Sequence, residues 1–356
     1  MDKTISRVLS CFNLEGNISE IKQIITGHIN NTYRVTTDDA RKYTLQTINK
    51  YVFKHPDRVM ANITAVTSFL KKKITAVGGD PDRECLTVIF ASDGKPFVLD
   101  DEGNYWRLYK FIDNSYTVDS VENLEQIRSA GEGFGRFQNM LADFPMGELY
   151  DIIPDFHNTP KRYEQLMEAV KNDVCGRAAE CAEEIEFFRQ HYGIMCSLQG
   201  KLPLRVTHND TKFNNILIDS DTNRALCVID LDTVMPGYSV LDFGDAIRFA
   251  ANTAEEDETD MSKIHIDMEL YSAFCEGFLP CVSDLTPLEV SLMPAGAVVI
   301  TLELASRFLA DHINGDKYFQ IHRPNHNLDR ARCQIQLVRS MEHHMDEMQR
   351  IIEKYK

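Results

Sequence analysis

Positive charge is scarce in this chain. The net charge is −16 and no run of basic residues interrupts the acidic balance, whereas nucleic acid or an anionic membrane as principal partner rewards a basic face. Both are excluded as expected partners. Cysteine pairing is missing as well: the nine cysteines are odd in number and include no Cys-x-x-Cys, so neither a zinc site nor a disulfide framework is expected, and the thiols read as buried groups in a reducing compartment. Long apolar runs are absent. The longest, Ala295 to Leu302, falls far short of a bilayer span, and the N-terminal MDKTISRVLSCFNLEG lacks the apolar core of a signal peptide. The expectation is a soluble, cytoplasmic protein, long enough at 356 residues and apolar enough at 43% for two substantial lobes.

What is present concentrates between Val206 and Thr233, which read VTHNDTKFNNILIDSDTNRALCVIDLDT. Two apolar runs, Ile216-Leu217-Ile218 and Ala225 to Ile229, flank the polar segment Asp219 to Arg224. This pattern predicts a β-hairpin with Asn215 at its entry and Asp230 at its exit. His208, Asp210 and Asn215 match the His-x-Asp-x-x-x-x-Asn spacing of a kinase catalytic loop. Phosphoryl transfer from a nucleotide needs hard oxygen ligands for Mg²⁺ and a carboxylate that orients the attacking hydroxyl and takes its proton. Asp210 is therefore the expected base and Lys212 the expected cation beside the transferring phosphate. Asn215 and Asp230 are the expected metal ligands, with Asp232 as helper, and ATP and Mg²⁺ the expected cofactors.

Upstream, a short amphipathic helix carrying Ile5, Val8, Leu9 and Phe12 precedes a hairpin, Ile21 to Ile25 and Thr32 to Thr37. Its turn holds a single glycine, Gly27, where a phosphate-cradling loop uses several; His28 and Asn30 stand beside it, available to the active site. The third strand, Lys42 to Ile48, has Gln46 where a protein kinase places the lysine that grips the nucleotide phosphates. The next helix, Asp57 to Lys73, contains no glutamate to pair with such a lysine. Losing both is coherent, since either charge alone would be poorly compensated, and Gln46 is expected to act as a neutral donor near Asn62. Strands at Leu86 to Phe90 and Tyr105 to Ile112 complete a five-stranded sheet. Phe111 and Ile112 then open a hinge, residues 111–114, whose backbone would pair with adenine. The fold class expected is α+β and bilobal: residues 1–114 form a nucleotide-binding antiparallel-sheet lobe, and residues 115–356 a larger, mostly helical catalytic and substrate-binding lobe.

In that second part, Val121 to Phe144 shows helical spacing and contains Gly131, Gly133 and Gly135. No strand precedes them, so they read as helix-packing glycines and not as a nucleotide loop. A literal Asp-Phe-Gly begins at Asp242, but it lies 27 residues beyond Asn215 and opens a helical pattern. Asp242 is therefore expected to brace the catalytic loop or cap a helix. Ala295 to Ala310 is an apolar helix whose only charges are Glu303 and Arg307, four apart, read from spacing alone as an intrahelical ion pair. A C-terminal helix is expected from Leu328 to Glu353.

The Val206–Asn215 loop, Ile229-Asp230-Leu231-Asp232 and Asp242 together resemble the aminoglycoside phosphotransferase-like (choline/homoserine kinase-like) superfamily, which has the protein-kinase-like fold. More closely, Gly27-His28-Ile29-Asn30, the THNDTKFNN and CVIDLDTVMPG runs, LDFGDAIRFAANTAEEDE and ELASRFLADHINGDKYF are similar to the N-acetylhexosamine 1-kinases. The resemblance implies ATP- and Mg²⁺-dependent phosphorylation of the anomeric hydroxyl of N-acetylglucosamine and N-acetylgalactosamine, with Asp210 as base. It also implies a sugar held by the residues matching His28, Asp210, Asp230, Arg307 and Tyr318, and a glutamine at position 46. A kinase for another small alcohol, such as choline, homoserine or an aminoglycoside, is the alternative within the same fold. A catalytically silent sugar or nucleotide sensor is a further one.

Overall fold

The computed structural model describes residues 3–24, 30–118 and 123–356. The chain divides into two compact units: Met1–Thr117 with Met140–Pro154 and Asn215–Pro236, and Val118–Asn139 with Asp155–Asn214 and Gly237–Lys356. The class is α+β, with an N-terminal antiparallel sheet and a helical C-terminal part.

In the first unit, helix α1 (Lys3–Ser10) precedes strands β1 (Ile18–Ile24), β2 (Thr32–Thr37) and β3 (Lys42–Ile48); helix α2 (Pro56–Ala76) follows, then β4 (Val88–Ile89), β5 (Val98–Leu99), β6 (Tyr105–Lys110) and β7 (Ser115–Tyr116). The main sheet has six strands instead of five, in the order β1-β2-β3-β6-β4 with β5 also on β6. The extra member, β5, is two residues long, too short to announce itself by alternation. Side chains alternate across the sheet. Tyr43, Leu45, Trp106 and Leu108 bury one face against Ile5, Val8 and Leu9 of α1, so Gln46, Arg107 and Tyr109 are left to the other face. The predicted hairpin forms from Ile216–Asp219 and Ala225–Val228, antiparallel, and β7 extends it to three strands. The Ile229 N–H donates to the Asn215 carbonyl (2.9 Å), which brings the backbones of the expected metal ligands Asn215 and Asp230 to neighbouring ends of the hairpin.

The second unit is built from helices α3 (Leu124–Met140), α4 (Thr159–Asn172), α5 (Ala182–Met195), α6 (Ser239–Ala250), α7 (Met268–Phe278), α8 (Pro287–Ser291), α9 (Met293–Ile313), α10 (His326–His343) and α11 (Met345–Tyr355). The C-terminal helix expected from Leu328 to Glu353 breaks at His344 into α10 and α11. Helix α9 is the hub, packed against α4, α5, α6, α10 and α11. At 21 residues it is long and apolar enough to cross a membrane, beyond what the Ala295–Leu302 run indicates, but 78% of its most apolar window is buried inside the protein, as in a core helix. Its Gly296 lies against Gly244 of α6, so closely that a Cβ on either would fall within 2.6 Å of the other helix's backbone. Gly131 and Gly135 of α3 act in the same way: a Cβ at Gly131 would stand 2.4 Å from the Phe274 carbonyl of α7, and one at Gly135 2.8 Å from the Phe278 carbonyl.

Candidate functional site

The kinase-like loop belongs to the second unit as far as Asn214. Strand Arg205–Thr207 leads into it and a 3-10 turn, Phe213–Asn215, ends it. Between them the backbone is clamped by α6. Asp242 accepts hydrogen bonds from the N–H groups of His208 (2.8 Å) and Asn209 (2.7 Å) and from Gln138 Nε2 (3.1 Å). The N–H of Thr211 donates to Asp245 (3.0 Å), and its hydroxyl to the Asp242 carbonyl (2.6 Å). Asp242 is thus the loop-bracing acid expected from its position. Burial pushes its carboxyl above the ordinary range while the three donors pull it back. Asn209 takes a left-handed backbone conformation, φ +64°, a region uncommon outside glycine in which asparagine is enriched.

Asp210 follows that residue, and Lys212 Nζ stands 3.2 Å from its Oδ1. Burial opposes ionisation of Asp210, but the charge of Lys212 holds the carboxyl below its ordinary range; Asp210 in turn raises Lys212. An ionised carboxylate beside a retained ammonium suits a group that takes a proton from a hydroxyl next to a phosphate.

The hairpin residues belong to the first unit. Asp230 adopts a left-handed conformation, φ +56°. Asp232, expected as a metal helper, directs both carboxylate oxygens at a guanidinium that sequence reasoning missed. Arg107 Nη1 pairs with Oδ1 and Nη2 lies 3.1 Å from Oδ2, while Asn30 Nδ2 donates to Oδ2 as well (2.9 Å). The ion pair is almost completely buried, with side chains 2% and 5% exposed. Arg107 stands opposite Gln46 in the β3–β6 register and its Nε donates to Gln46 Oε1 (3.1 Å), while Gln46 Nε2 donates to the Thr32 hydroxyl (3.0 Å). A buried cation therefore does stand in this sheet, on β6 and not on β3. Asn62, expected near Gln46, instead holds backbone: its amide nitrogen donates to the carbonyls of Tyr150 and Val234, each at 2.9 Å. In the segment expected to be a hinge, the Phe111 N–H donates to the Lys42 carbonyl (3.0 Å) and the Ile112 carbonyl accepts from the Ser115 hydroxyl (2.7 Å). Gly27 and His28 lie outside the described residues.

On α9, the expected Glu303–Arg307 pair does not form. Glu303 turns to His157 Nδ1 (2.9 Å) and the Thr159 hydroxyl (2.7 Å). Arg307 has no ion-pair partner among the described residues; its guanidinium lies 5.8, 5.8 and 5.5 Å from the ring centres of Phe156, Tyr318 and Phe319. Tyr318 is well exposed, at 65%. A second cation, Arg162, is anchored to the Phe156 carbonyl (2.9 Å); burial, then the charge of Arg307, lowers its pKa.

Asn215 and Asp230 supply hard oxygen donors, and no group of three or more His, Cys, Asp or Glu side chains fit for a metal exists among the described residues. Among known families, residues 20–267 match the one described as the phosphotransferase enzyme family. Among solved structures, the chain is similar to the microcompartment-associated aminopropanol kinase (15% identity, covering 98% of this chain and 99% of that one, TM-score 0.62). It is similar also to an aminoglycoside phosphotransferase from Alicyclobacillus acidocaldarius (13%, 98% and 96%, 0.63) and to choline kinase from Cryptosporidium parvum (14%, 96% and 94%, 0.54). At such identities the likeness is one of fold.

Proposed function

The chain belongs to the phosphotransferase enzyme family, and from that premise we propose that it transfers the γ-phosphoryl group of ATP to the anomeric (C1) hydroxyl of an N-acetylhexosamine, N-acetylglucosamine or N-acetylgalactosamine. Asp210 orients the hydroxyl and takes its proton, and Lys212 steadies the departing phosphoryl oxygens. Asn215 and Asp230 would hold Mg²⁺, which would supply positive charge to the nucleotide phosphates. Gln46 serves the phosphates as a neutral group, together with Gly27, and the Ile112 N–H beside Phe111 serves adenine. Arg307, Tyr318 and His28 receive the sugar, together with Asp210 and Asp230.

The observation that carries the acceptor class is Arg307, a cation with no ion-pair partner among the described residues, set among three aromatic rings. A guanidinium repels choline or an aminoglycoside. It accommodates a neutral sugar, whose hydroxyl and acetamido oxygens accept hydrogen bonds while its C–H face lies on an aromatic ring. The test is ATP consumption measured against N-acetylhexosamines, plain hexoses, choline, ethanolamine, homoserine and aminoglycosides, with phosphorus NMR to locate the new ester. N-acetylhexosamines are expected to lead and to yield an anomeric phosphate. Preferred turnover of a cationic alcohol sinks the sugar reading, and nucleotide binding without any turnover points to a sensor.

A further inference from the structure

We propose that His157 is a positioning residue for the Asp210 loop: an imidazolium, paired with Glu303, whose Nε2–H fixes the peptide unit that joins Asn209 to Asp210. The inference rests on Asp210 as the base of the reaction proposed above.

The geometry fixes where the protons are. His157 Nε2 lies 3.1 Å from the Asn209 carbonyl oxygen and Nδ1 lies 2.9 Å from Glu303 Oε1. A carbonyl oxygen only accepts, so Nε2 carries a proton. A second proton is shared between Nδ1 and Glu303, whose other oxygen already accepts from the Thr159 hydroxyl (2.7 Å). Burial works against charge on both partners, yet Glu303 raises His157 and His157 lowers Glu303. The surrounding charges agree: Asp245 also raises His157, and Arg307, one turn along α9, also lowers Glu303. The proton therefore belongs to the imidazole.

The same peptide unit is held at its other end, where the Asp210 N–H donates to His208 Nδ1 (3.3 Å). With carbonyl and N–H both engaged, and Asn209 at φ +64°, the direction in which the Asp210 side chain leaves the loop is set. The segment that supplies His157 also supplies Phe156, whose ring lies 4.4 Å from the imidazole and 5.8 Å from the Arg307 guanidinium. One short stretch thus touches both the loop that carries the base and the arginine assigned to the acceptor. A core histidine with a merely structural role needs neither the second proton nor a bond to this carbonyl.

The first test needs no substrate. In ¹⁵N-histidine-labelled enzyme near neutral pH, His157 should show both ring nitrogens protonated, and Glu303→Gln should convert it to the neutral ring. A neutral His157 in the unaltered enzyme overturns the proposal. The second test compares His157→Leu with His157→Gln, whose amide can still donate to the Asn209 carbonyl. On whichever alcohol the screen identifies, His157→Leu should lower kcat by up to about a hundredfold with little change in KM for ATP, and His157→Gln should recover most of the loss. Equal kcat in His157→Leu and the unaltered enzyme also overturns it. If His157→Leu fails to fold, His157→Gln and the ring signal decide. If no alcohol is phosphorylated, the reading of Asp210 as base falls, and the protonation of His157 with the Asp210 amide shift on His157→Gln judges the brace separately.

Discussion

The two acid-bearing segments solve one problem by different means. Asp210 is aimed by a loop whose backbone N–H groups end on carboxylates of α6, Asp242 and Asp245, so the loop is fixed through its main chain. The segment that leaves the hairpin is fixed through side chains, by the Arg107–Asp232 pair, the amide of Asn30 and the amide of Asn62 on the Val234 carbonyl. Each contains one non-glycine residue in the left-handed region, Asn209 and Asp230, a conformation that costs about 1 kcal/mol or more and persists where surrounding contacts enforce it. A main-chain clamp tolerates change in the side chains it holds. A clamp made of one buried ion pair does not, because either charge alone is left uncompensated.

The largest effect expected concerns Asp210 itself. Asp210→Asn should leave folding and ATP binding nearly intact while turnover falls about 10²–10⁴-fold; near-normal turnover in a steady-state assay removes Asp210 from the chemistry. Its pH dependence has a defined sign. Because the folded carboxyl is held below its ordinary value by Lys212 against the opposing effect of burial, its contribution is complete above the ordinary carboxylate range, around pH 4, and fades only as pH falls through the lowered value. A kcat profile that already declines between neutrality and that range would locate the base elsewhere.

Next in size is the side-chain clamp. Arg107→Met leaves Asp232 buried without its cation and should cost about 3–5 kcal/mol in denaturant unfolding. The double change Arg107→Met with Asp232→Leu should recover most of that. Failure of the double change to recover would mean that the residues act independently. For the main-chain clamp, Asp242→Asn replaces one acceptor by a donor facing backbone N–H groups, at about 1–3 kcal/mol. Its loss should fall on kcat more than on KM for ATP. An effect as large as that of Arg107→Met would erase the contrast between the two clamps.

Much of this was legible in the chain because it is local. The His208–Asn215 spacing and the hairpin with Asn215 and Asp230 at its ends depend on short spans and a clear change of period, and Asp242 could be read as a brace because it opens a helical pattern. The partners of the charged groups were not legible. Glu303 has Arg307 four residues away, yet it pairs with His157, 146 positions earlier. Local spacing says only which pairings are possible, while packing against α4 and the 155–159 segment decides. Arg107 escaped notice for a related reason: in YWRLYK it reads as an exposed residue of an alternating strand, and only its acid 125 positions later makes burial affordable. Two-residue β5 carries too little pattern to be placed.

The smallest effect tests whether the sheet truly lacks its lysine. Gln46 accepts from Arg107 Nε at 3.1 Å and donates to Thr32 at 3.0 Å, so it is the neutral link between a buried cation and a strand hydroxyl. Gln46→Met removes those two bonds and should cost about 1 kcal/mol. Gln46→Lys restores the residue that a protein kinase places on this strand, but sets an ammonium against a guanidinium that already has its acid. Like charges so close in a buried setting repel, so lysine should be worse than methionine both in unfolding midpoint and in KM for ATP. If Gln46→Lys instead tightens ATP or raises turnover, Arg107 is not the cation of this sheet and the position is an ordinary phosphate-lysine site that this chain has lost.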